Sequence, residues 1–429
     1  MPIRFWFALI LTMLFAACGS DDSDPRVSRA ATPTEAVATS SSTPLPTDTP
    51  TPTSTPTQTD MPTEPPTATP THTPLLADEL AAAGVGRHLG IAPSTITPNG
   101  DWTAYSYDPA EETAICLRGT PYQVNIRRGT SNHVLLYLEG GGACWNFQSC
   151  WQSPRAKLEA QPFFGAGIFD FSSPANPFRD WNIVYASYCD GSVFAGDNVA
   201  DYQGNRTYHH GLQNLSAAVA LMRREFPSPD RIVVSGSSAG GFGTYTGYGV
   251  TRVAFPDTPI LIFNDSGPGL QNPADTQAVQ DRLANWNFTR SVPASCTRCA
   301  TQLTYLSEWA LGRDPSLRAA YFSYLQDAVI RSFLSLDGAA YESLLREVTD
   351  DIHSRHPDRF KRFFVQGAGH TVLELPTFST LEIMGTAVRD WTADFLVDGP
   401  AWQDLVEGVN PFEGFRSETG ASCGKPGRG

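Results

Sequence analysis

The chain has 429 residues, of which 41% are hydrophobic, and a formal net charge of −14 at pH 7. This length and apolar content suffice for one large domain or two ordinary ones. Nucleic-acid binding requires a basic surface, so the charge balance predicts no nucleic-acid partner, and it weakly disfavours an intensely anionic polymer as substrate.

The first eighteen residues have the pattern of an export signal. Arg4 precedes a short apolar stretch over residues 5–17, which ends at Cys18. About a dozen apolar residues are too few to cross a hydrocarbon core of about 30 Å, so a membrane span is not expected. The residues before Cys18 resemble a bacterial lipobox, with Phe15 where Leu is usual. We expect export with a lipid anchor at Cys18; the alternative is an ordinary cleaved signal in which Cys18 is incidental.

Residues 19–76 are dominated by Ser, Thr, Pro and acidic residues, with repeated Thr-Pro steps. Each X-Pro step disfavours a helix, and almost no apolar side chain is available to pack. The composition predicts a disordered tether behind the anchor, and a Pro-rich ligand for a partner is the alternative. The folded catalytic part is then expected over residues 77–429.

Apolar runs that end in turn signals predict the strands of the folded part. Between them, residues 214–225 have the apolar spacing of a helix, and residues 271–318 look like a long helical insertion. Strands that alternate with helices predict an α/β fold with a doubly wound, mostly parallel sheet. The predicted strands are residues 133–138, 181–186, 230–235 and 259–264, with weaker candidates at 319–325 and 362–365.

Eight cysteines are present, and an exported protein permits disulfides. Proximity alone suggests the pairs Cys144–Cys150 and Cys296–Cys299, although spacing does not determine connectivity. If Cys18 is acylated, seven cysteines remain and at least one thiol stays free. Zinc or redox use of Cys296 and Cys299 is disfavoured, because no second close pair, nearby His or thioredoxin-like pattern accompanies them.

The segment G-S-S-A-G at residues 236–240 fits the G-x-S-x-G pattern of serine hydrolases. The pattern is informative only between a strand and a helix, and here an apolar run precedes it and a helix-compatible segment follows. Flanking glycines let the strand and helix approach closely, and strain at the central Ser lifts its hydroxyl above the strand ends. Ser238 is therefore predicted as a nucleophile. The alternative, a phosphate-binding turn, lacks the Lys of a P-loop.

The glycines at 140–142 follow the first strong strand and resemble an H-G-G-G type of oxyanion loop. Successive glycines let backbone amides point into a site without obstruction by side chains. One or two of these amides, together with that of Ala239, are expected to bind a developing oxyanion. A tight turn that needs positive φ is the alternative.

The base is predicted by elimination, because an α/β-hydrolase has the chain order Ser, acid, His. Only His353, His356 and His370 follow Ser238. The first two lie in a polar stretch that ends at Pro357, as solvated helix residues do. His370 follows a strand and a flexible Gly-Ala-Gly loop, which is where a catalytic base belongs.

Two aspartates compete for the role of the acid. Asp265 closes the first strand after the nucleophile, and Asp327 closes the second, where this fold usually has its acid. Asp327 is therefore preferred and Asp265 remains the alternative. The acid would hold the His tautomer and stabilise the imidazolium without becoming protonated itself.

With these blocks the sequence resembles the pectin acetylesterase family, which also contains the secreted deacylase Notum. The resemblance runs from the glycines at 140–142 and Cys144, through Tyr188-Cys189 and the segments 236–241 and 264–267, to Asp327 and His370. It implies Ser238, Asp327 and His370 as the catalytic triad, the amides of Gly141, Gly142 and Ala239 as the oxyanion hole, and a structural Asp265.

One departure from the family pattern concerns the residue after the glycines. Relatives usually have Trp there, whereas this chain has Ala143 and places Trp145 two residues later. A Trp at this position can wall the acyl pocket, so the acyl preference does not follow from the resemblance.

The sequence thus predicts an exported serine ester hydrolase that needs no metal or cofactor. The expected substrate is a short acyl ester, such as acetate on a polysaccharide. The alternatives are a deacylase for longer acyl groups on protein or lipid, and a surface carbohydrate-binding protein without activity. The intact Ser238, Asp327 and His370 argue against the last of these.

Overall fold

The computed structural model describes residues 74–162 and 165–408, which belong to one compact unit. The first described helix begins at Pro74 and already buries Leu76. Cys18, Cys423 and residues 19–73 of the tether predicted over residues 19–76 lie outside the described residues, and residues 74–76 belong to the first helix.

A mixed sheet of ten strands forms the centre of the described part of the chain. In chain order the strands of the described residues are β1 (Thr95–Asn99), β2 (Trp102–Ser106), β3 (Gln123–Arg127), β4 (His133–Leu138), β5 (Asn182–Ala186), β6 (Asn198–Tyr202), β7 (Asn205–His209), β8 (Arg231–Ser237), β9 (Ile260–Asp265), β10 (Arg318–Tyr324), β11 (Phe360–Val365), β12 (Glu382–Ile383), β13 (Thr386–Ala387) and β14 (Leu405–Val406). The ten-stranded sheet has the order β1-β2-β3-β5-β4-β8-β9-β10-β11-β14. Its seven strands from β5 to β14 in this order are parallel, and β1, β2 and β3 add antiparallel pairs at one edge. The α/β fold with a mostly parallel sheet is therefore confirmed.

Both faces of the sheet are buried. Successive residues of a strand point to opposite faces, so alternate residues join different hydrophobic clusters. In β4, Val134 and Leu136 join one hydrophobic cluster, and Leu135 and Tyr137 join the other. Helices cover the two clusters, as a parallel sheet requires. The helices are α1 (Pro74–Ala82), α2 (Gly211–Glu225), α3 (Ala239–Ala254), α4 (Thr276–Trp286), α5 (Tyr305–Leu311), α6 (Ala328–Leu334), α7 (Gly338–Arg355) and α8 (Val388–Val397).

The segment 271–318, expected to be a helical insertion, contains α4, α5 and two short 3-10 turns at Phe288–Ser291 and Thr297–Ala300. Within the described residues, no helix is both long and apolar enough to span a membrane.

The register of the parallel strands brings their carboxyl ends to one edge of the sheet. Leu138 of β4 pairs with Gly236 of β8, and Ser237 pairs with Asp265 at the end of β9. Tyr324 of β10 pairs with Val365 of β11. The loops that follow these strands therefore meet, and such an edge is where open α/β sheets bind their ligands.

Three disulfides lie in the described residues. Cys144–Cys150 and Cys296–Cys299 are the two pairs that proximity suggests. The third, Cys116–Cys189, spans 73 residues and joins the loop before β3 to the segment after β5. Its separation in the sequence gave no basis for predicting it.

Candidate active site

Ser238 lies in a sharp turn between β8, which ends at Ser237, and α3, which begins at Ala239. Its φ of 56° and ψ of −117° are strained for a residue with a side chain. The neighbouring glycines allow the turn: a Cβ on Gly240 would lie 1.8 Å from the Leu138 carbonyl oxygen, and one on Gly236 would lie 2.5 Å from the Gly240 carbonyl oxygen. Sequence reasoning predicted this strained turn from the same glycines.

The loop of glycines after β4 passes beside Ser238. A Cβ on Gly140 would lie 2.8 Å from the Ser237 carbonyl oxygen and 3.2 Å from the Cβ of Ser238, so only glycine allows this approach. In the described part of the chain, no protein acceptor binds the N–H groups of Gly141 and Gly142. The N–H of Ala239, at the start of α3, has no partner within its own helix. The three amides named from the sequence thus lie around the Ser238 turn and are free to bind an anion.

Two contacts that hold the glycine loop were not foreseen from the sequence. The Tyr188 hydroxyl donates to the Gly142 carbonyl oxygen at 2.7 Å, and the Lys157 N–H donates to the Gly141 carbonyl oxygen at 2.8 Å. Tyr188 lies in one of the segments that carry the resemblance and Lys157 does not, but only the tertiary structure reveals that both contact this loop.

Asp327 lies after β10 and caps helix α6. Its Oδ1 accepts the N–H groups of Val329 and Ile330 at 2.9 and 3.0 Å, and its Oδ2 lies 2.7 Å from His370 Nδ1. The Asp327 side chain is fully buried, whereas the His370 side chain is 20% exposed. A buried carboxylate fixed by two amides orients the imidazole and leaves its Nε2 available for chemistry.

Asp265, the alternative acid, contacts backbone instead of the imidazole. Its main-chain oxygen accepts the Ser238 N–H at 2.8 Å. Its carboxylate accepts the N–H groups of Val372 and Leu373 at 3.0–3.1 Å and the Ser237 hydroxyl at 2.6 Å. Asp265 thereby ties the Ser238 turn to the loop that carries His370. Burial raises the pKa of this carboxyl, and the Ser237 hydroxyl and the two amides oppose that shift.

Ser266 and Thr371 extend this tie. Both have positive φ, at 56° and 59°, and the Thr371 N–H donates to the Ser266 hydroxyl at 3.1 Å. Asn264 secures the start of α3 by donating to the Gly241 carbonyl at 2.8 Å.

The other two histidines lie elsewhere in the fold. His353 is in the last turn of α7, where its Nδ1 lies 2.7 Å from the Phe360 carbonyl oxygen, and His356 caps that helix. Among residues 74–162 and 165–408, no group of His, Cys, Asp and Glu side chains is arranged to hold a metal ion.

An apolar pocket of about 90 Å³ opens beside Ser238. Ala143 and Trp145 line one side, Phe333 another, and α4 contributes Val279 and Trp286. The rings of Trp145 and Phe333 pack edge to face with centroids 6.4 Å apart. Trp145 thus occupies a wall of the pocket although Ala143 follows the glycines.

Two buried carboxyls lie near the same edge. Burial raises the pKa of Glu139, the residue before the glycines, and its neighbour Lys157 opposes that shift. Burial, then repulsion by Glu139, raises the pKa of Glu374 to about 7. The Oε1 atom of Glu374 is buried and finds no hydrogen-bond partner among the described residues.

Comparison with known proteins gives a family match over residues 103–304, to the model described as pectinacetylesterase. The chain is similar to the pectin acetylesterase family. The resemblance predicted from the motifs is thereby confirmed. The matched segment contains the glycine loop, Ser238 and Asp265, and it ends before Asp327 and His370.

Curated relatives agree with the family match. Pectin acetylesterase 4 of Arabidopsis thaliana is 30% identical over 169 residues, which cover 37% of this chain and 41% of the relative. Pectin acetylesterase 7 of the same plant is 25% identical over 236 residues, covering 51% and 60%. Palmitoleoyl-protein carboxylesterase NOTUM of Homo sapiens is 27% identical over 214 residues, covering 43% and 42%. The chain spans about half the length of these relatives.

Proposed function

We propose that this protein is a serine carboxylic ester hydrolase with Ser238 as nucleophile, His370 as base and Asp327 as acid. The observation that carries the proposal is the pair His370 Nδ1–Asp327 Oδ2 at 2.7 Å, on a loop that Asp265 ties to the Ser238 turn. The family match supports ester hydrolysis as the reaction class.

The reaction proceeds in two steps. His370 Nε2 takes the proton of Ser238 Oγ as the oxygen attacks the ester carbonyl carbon, and the amides of Gly141, Gly142 and Ala239 bind the oxyanion. The alcohol leaves with the proton from His370, and an acyl group remains on Ser238. His370 then takes a proton from a water, which attacks the acyl-enzyme; the carboxylic acid is released as Ser238 Oγ leaves with the proton from His370. Asp327 stabilises the imidazolium in both steps.

The preferred substrate is an acetyl ester on a polysaccharide. Two of the relatives are named pectin acetylesterases, which supports a glycan as the alcohol part of the ester and acetate as the acyl part. The matched segment carries the nucleophile and the glycine loop, and Asp327 and His370 lie beyond it.

A longer acyl group is the second candidate, because the pocket beside Ser238 is larger than a methyl group needs. Its volume of about 90 Å³ is several times the space that holds one water. Its walls are mainly apolar, and the human relative is named a palmitoleoyl-protein carboxylesterase.

The decisive experiment combines active-site labelling with substrate rates. A fluorophosphonate probe should inactivate the wild-type protein with one label per chain, and Ser238→Ala should neither react nor hydrolyse ester. Rates on p-nitrophenyl acetate, butyrate and octanoate would then decide between the two acyl classes. An unlabelled, inactive wild-type protein that still binds glycan would replace the esterase proposal with the carbohydrate-binding alternative.

We also propose that the protein is exported and anchored by a lipid at Cys18. Three disulfides support folding in an oxidising compartment. Native protein should fractionate with membranes, and Cys18→Ser should release it or block its maturation. Equal membrane recovery of both forms would refute the anchor and leave the esterase proposal intact.

A further inference from the structure

Glu139 is the last residue before the glycine loop, and its side chain is buried with both oxygens occupied. The side chain is 3% exposed, in an ion pair of Oε1 with Lys157 Nζ. Its Oε2 accepts the Tyr188 N–H at 2.8 Å. Leaving a buried carboxylate unpaired costs several kcal/mol, so the Lys157 ammonium and the Tyr188 main-chain N–H hold Glu139 to the two segments that contact the glycine loop.

The same two partners hold the glycine loop by its carbonyl oxygens. The Lys157 N–H binds the Gly141 oxygen, and the Tyr188 hydroxyl binds the Gly142 oxygen. Space is also tight, because a Cβ on Gly141 would lie 2.5 Å from Tyr188 Cδ1. One carboxylate therefore braces two successive peptide groups of the loop.

Fixing a carbonyl also fixes the amide of the next residue. A peptide unit is planar and trans, so its C=O and N–H point in opposite directions. The Gly141 carbonyl, bound to Lys157, thus turns the Gly142 N–H the other way. The next amide, that of Ala143, is occupied by the Arg155 carbonyl oxygen at 3.1 Å. The Gly142 N–H is therefore held in direction by the Gly141 carbonyl and has no protein acceptor in the described part of the chain.

We propose that Glu139 is a positioning residue: through Lys157 and Tyr188 it holds the peptide groups on both sides of Gly142, and it thereby aims the Gly142 N–H at the oxyanion of the reaction. The inference rests on the proposed ester hydrolysis and assigns a role to a residue that touches neither substrate nor reacting atoms.

The test uses Glu139→Gln, which keeps the shape of the side chain and removes its charge. Loss of one oxyanion donor lowers kcat by about 10²–10³, so a donor that is misaimed and not lost should lower kcat by about 10- to 100-fold. KM should change by less than about threefold, because the acyl pocket is untouched. Tyr188→Phe should act in the same direction, and the double variant should be less impaired than the product of the two single effects.

A trifluoromethyl ketone gives a readout that a merely structural role would not move. Ser238 Oγ adds to its carbonyl carbon, the proton passes to His370, and the resulting oxyanion occupies the same amides. Its inhibition constant should weaken in folded Glu139→Gln by about the factor lost in kcat. Glu374→Gln, a nearby buried carboxyl that binds neither Lys157 nor Tyr188, is the matched control and should keep both values at pH 8.

The outcomes separate this inference from the proposed function. Retention of kcat and of ketone affinity within twofold in folded Glu139→Gln would overturn the positioning role. If Glu139→Gln does not fold, Lys157→Met decides, because it removes the partner of the Glu139 ion pair and keeps the Lys157 main-chain N–H on the loop; unchanged kcat and ketone affinity in that variant would overturn the positioning role. Absence of hydrolysis and of probe labelling in the wild-type protein would instead refute the esterase proposal itself.

Discussion

The side chain of Asp265 contacts two segments that are more than a hundred residues apart. It binds the Ser237 hydroxyl on one side and the amides of Val372 and Leu373 on the other, in a site that excludes water. Asp327 instead gives one oxygen to amides and the other to His370. Two aspartates that end neighbouring strands therefore have different tasks, one in holding backbone and one in holding the imidazole.

Substitution by Asn should separate these tasks. Asp327→Asn is expected to lower kcat by about 10⁴ with little change in folding, because an amide favours the wrong imidazole tautomer. Asp265→Asn is expected to act mainly on stability, since an Asn side chain offers one acceptor oxygen to three donors. Esterase rates and urea denaturation of both variants measure this. The reverse pattern would transfer the role of the acid to Asp265.

Glu374 should make the stability of the protein depend on pH. It faces Glu139 and Asp265, with Lys157 and Tyr137 as the other nearby titratable groups, and its pKa is raised from 4.5 to about 7. The folded protein thus holds this proton more tightly than the unfolded chain does. The contribution of Glu374 to the free energy of unfolding is therefore highest below pH 4.5 and falls as the pH rises to 7.

Glu374→Gln should remove that contribution. The melting temperature of the variant, compared with that of the wild-type protein, is expected to be similar at pH 5 and higher at pH 8. Glu347→Gln, on helix α7, serves as a control for the loss of one charge. Parallel curves for Glu374→Gln and the wild-type protein across this range would contradict the prediction.

At the scale of elements, one face of helix α4 forms a wall of the apolar pocket beside Ser238. Val279, Leu283 and Trp286 recur at helical spacing and all line the pocket, together with Arg282. The Arg282 guanidinium lies 5.0 Å from the ring centroid of Trp145, so the helix is coupled to the loop after the glycines. The indole that the family pattern places directly after the glycines is thus supplied here from position 145.

Acyl preference should respond to the size of residue 143. Ala143 lines the pocket, so Ala143→Trp is expected to fill it and to lower kcat/KM for butyrate more than for acetate. An apolar pocket discriminates by about 1–3 kcal/mol per methylene, so acetate turnover should persist. Matched rates on p-nitrophenyl acetate and butyrate measure the difference. An equal loss on both esters would mean that residue 143 disturbs Gly142 and does not size the acyl group.

At the scale of the whole molecule, the Cys116–Cys189 disulfide closes the longest loop of the three. A crosslink restricts the unfolded chain more when the loop is longer, which gives about 4 kcal/mol for 73 residues. Replacement of both cysteines by Ala should lower the free energy of unfolding by about that amount in urea denaturation. The corresponding change at Cys296 and Cys299, three residues apart, should cost about 2 kcal/mol or less. Equal losses would contradict the loop-length argument.

The parallel strands could be predicted from the sequence because both of their faces are buried, so each strand is a nearly continuous apolar run. The weaker candidates at 319–325 and 362–365 correspond to β10 and β11. The sequence did not predict β1, whose five residues are all exposed, or the hairpin β6–β7, in which exposed and buried residues mix. An edge strand has little apolar signal because a neighbouring strand, and not a core, defines it.

For the site, local motifs pointed to Ser238 and to the glycines, and chain order pointed to His370 and Asp327. The contacts of Lys157 and Tyr188 with the loop could not be predicted from the sequence. Lys157 binds the loop through its main-chain N–H, which any residue except proline has, and Tyr188 binds it through a single hydroxyl. Glu139 was visible only as the residue before the glycines. Residues that act through the backbone of distant segments require coordinates.

The tie between Asp265 and the loop of His370 also governs where the chain can change its length. Val365 is fixed by its pairing with Tyr324, and Val372 is fixed by Asp265, so His370 lies in a span with both ends held. A single inserted residue there would move the imidazole away from Asp327. The segment 271–318, which lies between strands β9 and β10 and outside the span that holds the imidazole, faces no such limit. Insertions and deletions among related proteins should therefore accumulate around α4 and α5, where those at α4 reshape the pocket beside Ser238 and all leave the imidazole in place.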